Sequence, residues 1–260
     1  MDYQTLLWSH ENGVAEITMN RPDNANALSA RMSDELFDAA CRCEAEGARA
    51  VILTGSGRMF NAGGDLQEFD EAEDKADHVT RMATILHAAL SRFSHMDAPV
   101  ITAVNGSAGG GGFSIAISGD IILASEKAKF VSAYTASALT PDGSSSYYLA
   151  KHIGLLRAKE LMLTNRVLTA KEACEWGLVT RVVAPDDLMA EARALAAQFA
   201  TGPTQAYGGV KRLLQTAYSE GLETQLDKES RSIAAMMKTH DGAHGIASFL
   251  AKKTPEYKGK

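Results

Sequence analysis

Three features of this 260-residue chain predict an α/β fold. Short apolar runs, Ala50–Thr54 and Pro99–Val104, have strand length. Each is followed by a glycine-opened turn and then by apolar residues at helical spacing. The runs are apolar throughout instead of alternating, as expected for strands buried in a sheet covered by helices.

The elements are expected in the following order. Residues 3–9 and 13–19 form two strands around Glu11-Asn12-Gly13, because Asn-Gly favours a two-residue hairpin. Arg21-Pro22-Asp23-Asn24 is a loop. Ser29 caps a helix whose face carries Leu36, Phe37, Ala40 and Cys43 and which ends near Glu46. Strand 50–54 leads into a glycine loop, 55–64, and then into an acidic stretch, 65–77, read as mobile. A helix over 78–95 turns Val79, Met82, Ile85, Leu86, Ala89, Leu90 and Phe93 inward. Strand 99–104 precedes Asn105 to Gly112, and a helix starts at Phe113. Strands follow at 119–124 and 129–132. From Pro141 onward the reading is mainly helical: 144–153, 156–164, 170–176, 187–200, 204–218, 222–238 and 242–251. Residues 1–200 are assigned to one large core and residues 201–260, opening near Pro203, to an appended helical module.

A net charge of −6 without a Lys/Arg block argues against nucleic acid or an anionic membrane as partner, and leaves small anions open. Cys41, Cys43 and Cys174 have no disulfide-framework spacing, which points to a reducing compartment. The N-terminus lacks a signal-peptide pattern, and no apolar run reaches the ~18 residues of a membrane span. A soluble, cytoplasmic protein is therefore expected. His240 and His244 have i,i+4 spacing but no third ligand is identifiable, so no metal site is assigned.

The glycine turns carry the chemistry. Gly109 to Gly112, between a strand and a helix, leave backbone N–H groups unshielded by side chains. Phe60-Asn61-Ala62-Gly63-Gly64-Asp65-Leu66 has the same character after another strand. Together the turns can offer two N–H donors to one carbonyl oxygen.

These residues resemble the crotonase superfamily, the enoyl-CoA hydratase/isomerase family. The resemblance rests on Asn20-Arg-Pro with Asn26-Ala-Leu28, Phe60 to Leu66, Pro99 to Gly112, Asp120-Ile-Ile-Leu-Ala and Glu126 to Phe130. It continues through Leu161 to Thr164, Glu172 to Val179 and the closing Phe249 to Pro255, so that it covers the chain in order. It implies a crotonase fold: a ββα superhelix core with a C-terminal helical trimerisation region, assembled as a homotrimer or homohexamer. It implies a CoA thioester as substrate, with coenzyme A entering as part of that substrate and no prosthetic group. The thioester oxygen would sit between the N–H groups of Gly64 and Gly111.

The family's two hydratase glutamates are replaced by Ser114 and Tyr134, which are poor bases without activation. The carboxylate left at a family catalytic position is Asp142, in Pro141-Asp-Gly-Ser; the same pattern also suits an aspartate capping the helix near Ser144. Family dehalogenases place their nucleophilic aspartate there, with an indole at the Tyr134 position and a water-activating histidine at the His87 position. On its helix His87 falls near the apolar face, which favours a structural role. The CoA part of the substrate is expected against Ala25, Ala62, Asp65, Leu66, Phe249 and Lys252, although Ala25 and Gln67 stand where dehalogenases have phosphate-binding arginines. The leading expectation is an isomerase converting 3-enoyl-CoA to 2-enoyl-CoA. The alternatives are a hydratase of modified mechanism, 4-chlorobenzoyl-CoA dehalogenase-like hydrolysis, and a non-catalytic CoA-binding scaffold.

Overall fold

The computed structural model describes residues 2–260. The chain opens with β1 (Leu6–Glu11) and β2 (Val14–Met19), an antiparallel hairpin. Asn12 and Gly13 both take positive φ, 52° and 78°, as a primed two-residue turn demands. Helix α1 (Ala30–Ala45) is capped by Ser29, whose Oγ accepts from the Met32 N–H at 3.1 Å.

Three successive units then repeat one plan, each sending one strand to each of two sheets. The first is β3 (Ala50–Gly55), β4 (Met59–Asn61), α2 (Leu66–Glu71) and α3 (Lys75–His95). The second is β5 (Val100–Val104), β6 (Ser107–Gly109) and α4 (Gly111–Ile117). The third is β7 (Ile121–Ser125), β8 (Lys129–Val131), α5 (Ser145–Ile153) and α6 (Leu155–Thr164). Then come β9 (Leu168–Thr169), α7 (Ala170–Glu175), β10 (Arg181–Val183) and α8 (Leu188–Ala200). The larger sheet has the order β1-β2-β3-β5-β7-β10 and the smaller β4-β6-β8-β9. The pairs β3–β5, β5–β7, β4–β6 and β6–β8 are parallel, which is the ββα superhelix. The completely buried β3 and β5 fit their unbroken apolar sequences.

The module contains α9 (Thr204–Thr216), α10 (Leu222–Met236) and α11 (His240–Leu250). It is tied to the core at Lys211. This ammonium is 2.8 Å from Asp120 and donates to the carbonyls of Phe93 and Ala98 at 3.0 and 2.9 Å.

The structure corrects the sequence reading at several stretches: β4 and β6 lie in the expected loops at 55–64 and 105–112, and β9 and β10 fall where no strand was expected. Residues 65–77, expected to be mobile, hold α2 and the first residues of α3. Their acidic residues act as helix caps: Asp65 accepts from the Glu68 N–H and Asp74 from the Asp77 N–H. Among the described residues no helix is long and apolar enough to cross a membrane.

Candidate active site

The first glycine turn is held by two fully buried asparagines. Asn26 accepts from the Arg21 N–H and donates to the carbonyls of Ser56 and Met59. Asn61 donates to the Asn26 carbonyl, and its Oδ1 takes the Gly63 N–H at 2.8 Å. Leu28 then bridges the turn: its N–H donates to Gly63 at 2.7 Å, and its carbonyl accepts from Asp65 at 2.8 Å. Since Gly63 and Asp65 make those bonds, the Gly64 N–H between them faces away from Leu28.

In the second turn Gly110 spends its N–H on the carbonyl of Val131, and its own carbonyl receives Ser114. Gly111 begins α4, so its N–H has no acceptor within the helix. A Cβ added to Gly63 would stand 3.4 Å from the Gly111 nitrogen, so close do the two turns approach. Gly64 and Gly111 line one cavity of about 490 Å³.

Asp142 lines the same cavity and is, among the described residues, the single carboxylate to do so. Its Oδ1 accepts from the Tyr134 hydroxyl at 2.6 Å, and its Oδ2 is 3.4 Å from Nε2 of His87. The capping alternative for Asp142 does not hold. Ser144 is the N-cap of α5 and makes no side-chain cap bond, while the Asp142 carboxylate is turned toward Tyr134. It is the Asp142 carbonyl that meets the helix start, accepting from the N–H and the hydroxyl of Ser145 at 3.2 and 2.9 Å.

Burial, reinforced by the Asp142 charge, pushes the Tyr134 hydroxyl far above the ordinary phenol range. Tyr134 is therefore a proton donor to the carboxylate, not a base. His87 is half exposed and lines the cavity instead of packing into the core. Its Nε2 accepts the Gly143 N–H at 3.0 Å, so the lone pair of the nitrogen nearest Asp142 is already engaged.

The structure thus brings Gly64, Gly111, Tyr134, His87 and Asp142 together, with Ala62 and Leu66 in the same wall. Four residues expected against the CoA part do not line this cavity. Ala25 adjoins the lining residue Ala62, whose N–H its carbonyl accepts at 3.1 Å. The Asp65 carboxylate is committed to the α2 cap and to Arg21 at 2.9 Å. Phe249, on α11, is 83% exposed, and Lys252 follows that helix on the surface; neither lines the cavity. Sequence reasoning missed the bracing roles of Asn26 and Asn61 and the contact of His87 with Gly143. The asparagines lay inside quoted motifs, whereas the His87 contact joins positions 56 residues apart and left no local signal.

A ββα superhelix with paired glycine donors facing one carboxylate defines a crotonase-type protein. Within that superfamily the chain belongs to the enoyl-CoA hydratase/isomerase family, whose model matches residues 9–260. It is 35% identical over 260 residues to a probable enoyl-CoA hydratase of Rhodobacter capsulatus, covering all of both chains. It is also 35% identical over 247 residues to 4-chlorobenzoyl coenzyme A dehalogenase-2 of an Arthrobacter species, 94% of this chain and 90% of that one. The 1,2-epoxyphenylacetyl-CoA isomerase of Escherichia coli is 35% identical over 259 residues, covering 98% and 99%. Among solved structures, enoyl-CoA hydratase from Bacillus anthracis superposes with a TM-score of 0.92 at 32% identity, covering 99% and 100%.

Proposed function

We propose that the protein is an enoyl-CoA isomerase that moves a double bond from the 3- to the 2-position of a CoA thioester. The observation that carries this reading is the single carboxylate, Asp142, in a cavity shared with the two glycine N–H groups. Oδ1 is held by Tyr134, which leaves Oδ2 to act as the base. Oδ2 takes a proton from the carbon next to the thioester. The C–H electron pair moves into the conjugated system, and negative charge collects on the thioester oxygen. Gly64 and Gly111 hold that oxygen, each donor being worth ~100- to 1,000-fold in rate. The electrons then return, Asp142 gives its proton to the γ-carbon, and the double bond is conjugated. One proton leaves carbon and one returns, so a single carboxylate suffices.

Hydration would need a second acid/base group to place water. The other titratable residues lining the cavity are Tyr134 and His87; Tyr134 is bonded to Asp142 itself, and Nε2 of His87 accepts the Gly143 N–H. A dehalogenase-like route has Asp142 as nucleophile, but asks His87 to activate water with a lone pair that Gly143 already occupies.

Residues 201–260 are proposed to assemble the protein as a trimer or hexamer. Support comes from exposed apolar side chains on α10 and α11, among them Leu226, Ile233, Phe249 and Leu250. In such an assembly Phe249 and Lys252 would serve a neighbouring copy's cavity.

The test is Asp142→Asn with a short 3-enoyl-CoA. Thioester affinity should be retained, and turnover should fall by ~100- to 10,000-fold. Near-wild-type turnover would overturn the assignment.

A further inference from the structure

The oxygens around Asp142 make more short contacts than there are protons to fill them. Tyr134 Oη is 2.6 Å from Asp142 Oδ1. Ser114 Oγ is 2.8 Å from Tyr134 Oη and 2.8 Å from the Asp142 carbonyl oxygen. These are three hydrogen-bonding distances in one closed circuit. With Asp142 ionised, only the two hydroxyl protons are available to it. Tyr134 donates to the carboxylate, and the one Ser114 proton goes to Tyr134, to the Asp142 carbonyl or, at the longer distance of 3.4 Å, to the Gly110 carbonyl. One contact is left with two oxygens facing each other and no proton between them.

A proton on Oδ1 completes the circuit. The carboxyl then donates to Tyr134, Tyr134 to Ser114, and Ser114 to the Asp142 carbonyl. Every contact is filled and both hydroxyl rotors have reversed. Ser114 is completely buried, so water does not supply the missing proton.

We propose that Ser114 is a positioning residue for the reaction: through Tyr134 it couples the direction of a hydroxyl circuit to the protonation of Asp142, and so tunes the proton affinity of the carboxylate whose Oδ2 acts as the base. This deepens the isomerase reading and rests on it for its purpose. The circuit itself stands on the three distances. Tyr134 and Ser114 contribute opposite effects. Tyr134 donates to the anion and favours it, whereas Ser114 imposes the unfilled contact that disfavours it. The other titratable group facing Asp142 is His87, on α3.

The test reads the carboxyl directly, without turnover. Aspartate labelled with heavy carbon at its side-chain carboxyl is incorporated, and the Asp142 signal is identified by its loss in Asp142→Asn. The signal is then titrated by NMR. Ser114→Ala should move the midpoint to lower pH by about one unit, the equivalent of one hydrogen bond. Tyr134→Phe should move it to higher pH. The double variant should match Tyr134→Phe, because Ser114 acts through the tyrosine. The Ser114→Ala displacement should persist in a His87→Gln background. Ser114→Cys keeps the volume and weakens the donor, and should move the midpoint the same way by less; it is the readout if alanine at this buried position unfolds the chain.

A Ser114→Ala midpoint equal to wild type would overturn the proposal. So would a displacement that survives Tyr134→Phe or disappears with His87→Gln. Failure of the isomerase reading is seen separately, as retained turnover in Asp142→Asn.

Discussion

Gly63 and Gly110 hold φ at 102° and 50°, left-handed conformations that favour glycine. Gly112 is needed for a different reason: a Cβ there would lie 2.3 Å from the Asn61 carbonyl oxygen. These constraints explain why the glycines could be read as a site from sequence, since backbone donors need bare backbone. Gly111 gives the sharpest test of that role. Gly111→Ala keeps the N–H and adds a Cβ against the movable end of Leu28, at 2.6 Å. Gly111→Pro adds the same Cβ and removes the N–H, at a helix-start position that proline tolerates. In kcat measurements the proline variant should be ~100-fold or more slower than the alanine variant. Equal rates in the two folded variants would refute the donor role. Asp142 was legible as the remaining family-position carboxylate. The role of Ser114 was not, because its contact with the Asp142 carbonyl joins residues 28 apart and depends on where a hydroxyl points.

At the scale of elements, α1 is fastened to the start of β1 by a buried carboxylate. Glu35 accepts from the Thr5 hydroxyl at 2.6 Å, the N–H groups of Thr5 and Gln4 at 2.8 and 2.9 Å, and Arg31 at 2.7 Å. Burial alone would push this carboxyl up, but the donors overcome it and hold it below its usual value. A group depressed in the folded state contributes stability above its unfolded pKa and loses it as pH falls through the folded value. Glu35→Gln should therefore cost about 2 kcal/mol in urea unfolding at neutral pH, and the difference from wild type should shrink below about pH 4. An unchanged difference at low pH would contradict this. The longer helices were legible by their period, and the strands β3 and β5 as unbroken apolar runs of strand length. The three-residue strands β4 and β6 were not, since they lie inside glycine-rich stretches that read as loops. The 65–77 stretch was misread because an acidic run looks like a solvated loop, whereas Asp65 and Asp74 are helix caps.

The whole molecule depends on how the C-terminal helices meet the core. Burial pushes the Lys211 ammonium down and the Asp120 carboxyl up, and their pairing pulls each back. Lys211→Met removes the buried ammonium from the partly exposed Asp120 and from the Phe93 and Ala98 carbonyls, and should cost about 2 kcal/mol in denaturant unfolding. Adding Asp120→Asn should recover part of that loss; no recovery would mean the pair is not the fastening. The order of ββα units was legible as a family pattern covering the chain, whereas the parallel registers that stack them exist only between distant segments. The apolar surface on α10 and α11 leads us to expect a trimer or hexamer in light scattering, and a monomeric mass would contradict the assembly. The central claim, that one carboxylate shuttles one proton, is tested most directly by mass spectrometry of a short 3-enoyl-CoA incubated in heavy-oxygen water. A single-carboxylate shuttle gives a product of unchanged mass that gains the ultraviolet absorbance of a conjugated enoyl thioester, absent with Asp142→Asn. A product heavier by one labelled water, or an unaltered substrate, would contradict it.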